Sequence, residues 1–84
     1  MMDHFITFRS VTFAQHGQSI LEKSGIQCLL QRTPRWMEEQ GCGYCLRLRG
    51  ADVFRAVRWL QARQIKFRKV YRQLPDGNVE ELAL

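Results

Sequence analysis

A chain of 84 residues, 45% hydrophobic and 25% charged, has the make-up of one small soluble domain with no room for a second core. No apolar run approaches the roughly 20 residues of a membrane span, and Met1-Met2-Asp3-His4 lacks the basic and apolar stretches of a secretory signal, so a cytoplasmic location is expected. The net charge of +5, carried mostly by arginine, fits either a plain solvated surface or an acidic partner: nucleic acid, a phosphate ligand or an acidic protein face.

His4 to Arg9 alternates as a strand, with Ile6 and Phe8 on one face. Ser10 or Thr12 can cap the helix that follows, whose apolar face is Phe13, Gly17, Ile20 and Leu21 and whose stop is Gly25. A glycine at position 17 either weakens this helix or marks close packing on the sheet. Ile26 to Arg32 reads as a second strand with Ile26, Cys28 and Leu30 inward, and Thr33-Pro34-Arg35 breaks it, since proline cannot donate to the ladder. Thr33 and Pro34 can also open a single helical turn through Glu39. Tyr44 to Arg49 is the third strand, with Tyr44, Leu46 and Leu48 facing one way and Cys45, Arg47 and Arg49 the other.

Asp52 is the expected cap of a second helix whose stripe is Val53, Ala56, Val57 and Leu60. Phe67 to Leu74 is a fourth strand, without a clear inward face. Pro75-Asp76-Gly77-Asn78 is a turn, after which Val79 to Leu84 either returns as a short fifth strand or trails as a tail. The order β-α-β-β-α-β with a C-terminal extension predicts an α+β, ferredoxin-like domain over residues 1–84, its core about residues 4–74 and its extension residues 75–84. Right-handed crossovers put both helices on one face of the antiparallel sheet. The other face is expected to carry Arg9, Cys45, Arg47 and Arg49.

The chemistry-bearing feature is Cys42-Gly43-Tyr44-Cys45, where a polar loop becomes an apolar strand. Three cysteines are too few for a disulfide framework and suit a reducing compartment. Cys28, mid-strand between Ile26 and Leu30, reads as a small core hydrophobe. Cys42 lies between two glycines, which leave its sulfur open, and basic residues flank the pair: Arg32 and Arg35 before, Arg47 and Arg49 after. Positive charge favours the thiolate, the reactive form. Cys45 is either strand filler or a second, resolving thiol. A structural zinc site normally needs four ligands, usually from two paired motifs, and only one pair is present, so no metal and no cofactor are expected. His4 reads as a strand-edge residue, His16 as helix surface, and Glu38-Glu39 and Glu80-Glu81 as solvated surface.

Thr33-Pro34-Arg35 followed by Cys42-Gly43 leading into a strand resembles the selenium/sulfur carrier-like family of small bacterial proteins. The Phe8-Arg9-Ser10 strand end, the Lys23-Ser24-Gly25-Ile26 helix end and Tyr71 near the last strand fit the same layout, so the resemblance covers about Phe5 to Arg72. It implies that Cys42 holds sulfur or selenium as a persulfide or selenopersulfide, with Pro34, Arg35 and Gly43 as the matching motif positions. It implies a pyridoxal-phosphate desulfurase or selenocysteine lyase as donor and a selenium- or sulfur-using enzyme as acceptor. Such a protein is a carrier with a reactive cysteine rather than a full enzyme, and a homodimer is compatible with it. Catalytic roles are thus expected of Cys42 and Cys45, and cargo contacts of Gly43, Arg35, Pro34 and Arg47.

Two other readings compete. A ferredoxin-like sheet with a basic open face is also the RNA-recognition architecture, and Gly41-Cys42-Gly43-Tyr44 is similar to its third-strand core. Cysteine stands where the first stacking ring belongs, so only weak, nonspecific nucleic-acid binding is expected. The third reading is a dithiol redox or regulatory module cycling Cys42 and Cys45 between thiols and disulfide.

Overall fold

Alternating apolar residues build the sheet, and two amphipathic helices close one side of it. The computed structural model describes residues 3–34, 43–49 and 53–83, the Arg49 side chain excepted. In chain order these form β1 (Asp3–Phe8), α1 (Val11–Lys23), β2 (Cys28–Arg32), β3 (Tyr44–Arg49), α2 (Val53–Ala62), β4 (Val70–Gln73) and β5 (Val79–Glu81). The strands lie in the order β2-β3-β1-β4-β5, every neighbouring pair antiparallel. This is the expected ferredoxin-like arrangement with a short fifth strand added beyond β4.

Both helices bury their stripes on one sheet face. Ala14 and Leu21 of α1 and Val53, Ala56, Val57 and Leu60 of α2 join Ile6, Phe8, Leu46, Leu48 and Val70 in a single buried cluster. Cys28, Leu30 and Tyr44 pack at its margin, as their alternation predicts. Gly17 explains how closely α1 sits. A Cβ there would come within 3.0 Å of Phe8 Cζ, so the glycine is a packing requirement and not a weak point.

Backbone hydrogen bonding moves several boundaries inward. Ser10 is the N-cap of α1, its hydroxyl accepting from the Phe13 amide at 3.3 Å. At the other end Ile26 N–H reaches Leu21 O at 2.9 Å and Gly25 N–H reaches Glu22 O at 3.1 Å, with Gly25 at φ +82°. These two bonds form a Schellman cap. Ile26 is therefore consumed by the helix end, and β2 starts at Cys28. The fourth strand also begins later than the expected Phe67. Arg68 N–H donates to Thr7 O at 2.7 Å, while Lys69 N–H turns to the Thr7 hydroxyl at 3.0 Å. Two residues thus oppose one, in the manner of a β-bulge, and the regular ladder begins at Val70.

β5 is held by charge as well as by its ladder. Arg72 pairs with Glu80, its register partner, and Lys69 Nζ lies 3.5 Å from Glu81. Glu80 and Glu81 are consequently not plain solvated surface. His4 needs a similar correction: it is buried on β1, the middle strand, and not at a strand edge. His16 is exposed on α1, as expected. The expected turn at Thr33–Glu39 and the Asp52 cap fall outside the described residues. Among the described residues no helix is long and apolar enough to cross a membrane.

Candidate functional site

The β2–β3 connection is anchored by the ladder at its base. Gln31 pairs with Cys45 and Arg32 with Tyr44. One step further, the Thr33 amide donates to the Gly43 carbonyl at 3.0 Å. Pro34 ends the pairing because it has no N–H to give. The chain therefore leaves the sheet after Thr33 and rejoins it at Gly43, which is buried. Arg35 and Cys42 belong to this excursion and lie outside the described residues. The Arg32 guanidinium stands 6.0 Å from the centre of the Tyr44 ring, which places one exposed cation beside the returning strand.

Cys45 is the residue whose surroundings the sequence represents least well. It points to the face away from the helices, yet it is fully buried, in a small cluster with Phe5 flanked by Tyr71 and Val79. The face expected to be open is thus covered at its centre, with Phe5 6% and Thr7 7% exposed. Burial pushes the Cys45 thiol up from its ordinary value. The adjacent Thr33 and Gln31 side chains and the Arg47 charge pull in the other direction, and burial prevails. The Thr33 hydroxyl is itself buried and finds no well-aligned hydrogen-bond partner among the described residues.

Cys28 behaves as a core residue of the edge strand β2. Burial, reinforced by the negative charge of Glu22, pushes its thiol from 9.0 to about 11. Neither described cysteine is then a ready nucleophile at neutral pH, because the thiolate is the reactive form.

Arg47 leans away from the loop. Its Nε donates to Asp3 Oδ2 at 2.7 Å, and a second guanidinium nitrogen contacts the same carboxylate oxygen. Asp3 starts β1, whereas Tyr44 pairs with Phe8 at the end of that strand. So the fold brings Thr33, Pro34, Gly43 and Cys45 to one end of the sheet and directs the Arg47 head toward the other. Sequence reasoning missed Thr33 and Gln31 as neighbours of a thiol. The signal for them was the β2–β3 register, which places Gln31 opposite Cys45 once Thr33 is taken as the last paired residue. Among the described residues no three His, Cys, Asp or Glu side chains converge as a metal site would need.

The stacking platform of an RNA-recognition sheet would require exposed rings on β1 and β3. Here the corresponding face presents buried Phe5 and buried Cys45 at those strands. A family model described as "Putative Se/S carrier protein-like" matches residues 3–72, a span that runs from β1 into β4 and across the whole β2–β3 connection. No curated protein and no solved structure matches the chain.

Proposed function

The chain belongs to the Se/S carrier protein-like family, and from that premise we propose that it accepts sulfur or selenium on Cys42 and passes the atom on. One observation supports the choice of thiol: burial raises the Cys28 and Cys45 thiols, which makes both poorer nucleophiles at neutral pH and favours Cys42. Gly43, fixed by the Thr33 amide, gives the residue next to it in the chain an ordered base.

The loading step is an exchange at sulfur. The Cys42 thiolate attacks the terminal chalcogen of a donor persulfide or selenopersulfide, forming the new bond to Cys42 Sγ. The bond from that atom to the donor cysteine breaks, and its electron pair leaves on the donor thiolate. No outside oxidant is consumed, because the chalcogen arrives already in the oxidation state it keeps. A pyridoxal-phosphate desulfurase or a selenocysteine lyase is the donor class that makes such a group. Delivery repeats the exchange, with an acceptor nucleophile attacking the outer atom and the Cys42 thiolate leaving. Arg35, two residues beyond the Thr33–Gly43 bond, stabilises the anionic end of the adduct, and Pro34 sets the point where the chain leaves the ladder. Arg47, already matched by Asp3, acts on Cys45 rather than on the cargo.

Intact-mass measurement after incubation with a desulfurase and cysteine, or a lyase and selenocysteine, tests the reading. One added chalcogen atom, mapped to the peptide containing Cys42 and absent in Cys42→Ser, is the expected result. An adduct on Cys28, or an unchanged adduct in Cys42→Ser, overturns it.

A further inference from the structure

A groove of about 550 Å³ lies where β1 ends, α1 begins and the chain approaches β4, lined by Arg9, Phe13, Lys66, Phe67, Arg68 and Lys69. Four of these six side chains are cationic, two are aromatic, and none is acidic. Arg9, Lys66 and Arg68 form no ion pair with a described carboxylate, whereas Lys69 is engaged by Glu81. The first turn of α1 contributes no acidic residue to oppose them. Arg47 and Arg72 in the sheet are by contrast each matched, by Asp3 and Glu80. The groove therefore gathers three cations that no described carboxylate pairs.

Its walls are firmly set. Thr7 holds the 68–69 segment through its amide, carbonyl and hydroxyl: Thr7 N–H donates to Lys69 O at 2.8 Å, Arg68 N–H to Thr7 O at 2.7 Å and Lys69 N–H to Thr7 Oγ1 at 3.0 Å. The bulge this creates diverts Arg68 and Lys69 from the regular ladder. Phe13 is 41% exposed beside those cations, so its ring is open to a ligand in the groove. Phe67 is half-buried, its inner side packed on the helix-facing core.

We propose that this groove binds a nucleoside phosphate, its phosphates on Arg9, Lys66 and Arg68 and its base against Phe13. Guanidinium and ammonium groups supply the charge that phosphate oxygens need. An exposed ring supplies the flat apolar surface on which any base stacks. The size supports a small ligand over a polymer, since small-molecule sites run from roughly 300 to 1,000 Å³. Tyr44 pairs with Phe8, so the groove and the Cys42-Gly43 loop leave the sheet at the same end, but the proposal does not depend on what Cys42 carries.

Calorimetric titration of the full chain with ATP, tripolyphosphate, adenosine and a short single-stranded RNA tests it at physiological salt. ATP is expected to bind one site with Kd of about 10–100 μM, with adenosine and tripolyphosphate each at least about tenfold weaker because each lacks half of the recognised chemistry. Arg9→Ala with Arg68→Ala should weaken ATP roughly tenfold or more. Phe13→Ala should weaken ATP about five- to tenfold and leave tripolyphosphate unchanged. Arg9 and Phe13 are exposed, and Arg68 bonds Thr7 through its backbone amide, which alanine keeps, so circular dichroism of these variants should match that of the parent. No saturation of ATP in the millimolar range overturns the proposal. Tripolyphosphate equal to ATP reduces the groove to an anion patch, and RNA binding far tighter than ATP makes it part of a polynucleotide surface; either result also overturns it.

Discussion

The Thr33 amide donates to the Gly43 carbonyl at 3.0 Å, one step past the Arg32–Tyr44 pair, and closes the β2–β3 connection at its base. That single bond lies between the Pro-Arg and Cys-Gly elements of the sequence: Pro34 follows its donor, and Cys42 precedes its acceptor residue. It also sits beside Cys45, whose thiol faces the Thr33 side chain. Loop closure and thiol burial are thus two results of the same local pairing.

Removing the donor should separate those results. Thr33→Pro deletes the amide hydrogen and leaves the carbonyl of buried Gly43 without this donor, which should cost about 1–3 kcal/mol. Cys45 should then react with iodoacetamide markedly faster than in the parent. Thr33→Val keeps the amide and removes a hydroxyl that has no well-aligned partner among the described residues, so its stability should hold or rise slightly. Equal Cys45 labelling in Thr33→Pro and the parent would show that the clamp does not protect the thiol.

Gly17 should resist substitution despite its helical setting. Alanine normally favours a helix over glycine by about 1 kcal/mol. Here the new Cβ would meet Phe8 Cζ at 3.0 Å, Phe8 Cε2 at 3.3 Å and Leu46 Cδ1 at 3.4 Å. Phe8 and Leu46 are fully buried and have little room to yield. Overpacking of this kind costs about 1–3 kcal/mol, so Gly17→Ala should be destabilised on balance and Gly17→Val more so. Denaturant titration reads both, and a midpoint above the parent for Gly17→Ala would contradict the packing account.

Cys28 predicts a specific alkaline weakness. Its folded thiol is raised from 9.0 to about 11, so the folded chain keeps a proton that the unfolded chain releases first. Its contribution is therefore intact below pH 9 and is lost as pH rises from about 9 through 11. Cys45, also raised by burial, acts in the same direction. Comparing the parent with Cys28→Ala isolates this thiol from the rest of the chain. The stability difference between them should be flat from pH 6 to about 9 and then shift against the parent. A difference that stays constant to pH 11 would mean the Cys28 thiol is not perturbed.

Much of the helix-facing core was legible because side-chain period alone specifies it. Val53, Ala56, Val57 and Leu60 recur at helical spacing, and Tyr44, Leu46 and Leu48 at strand spacing, and all face the core as read. Tertiary bonding decided what was misread. Ile26 looks like a strand residue but caps α1, and the chain turns out of α2 after Ala62 through Gln64 at φ 59°, where no glycine announces the stop. The bulge at Arg68 and Lys69 exists only because Thr7 offers a hydroxyl to one of two competing amides. For the site, the family resemblance marked the Pro34-Arg35 and Cys42-Gly43 elements, but alternation cannot say whether a second sheet face is covered. The burial of Phe5 and Cys45 was therefore invisible, and with it the raised thiol.

That burial bears on the roles proposed for Cys42 and Cys45. An adduct on Cys42 can be resolved by Cys45 only if the Cys45 thiolate attacks the inner sulfur, forming a Cys42–Cys45 disulfide and expelling the outer chalcogen as its hydride anion. With Cys45 fully buried and its thiol raised, that attack must await opening of the strand end and should be slow at neutral pH. Cys45→Ser should therefore load as fully as the parent and hold its adduct at least as long. Raising the pH from 7 to 9 should shorten the adduct lifetime in the parent more than in Cys45→Ser, since only the parent gains the second thiolate. Time-resolved intact mass, with the disulfide scored as loss of two hydrogens, follows both species. Failure of Cys45→Ser to load would place Cys45 in the first step and reverse the assignment; identical pH responses would make it a buried spectator.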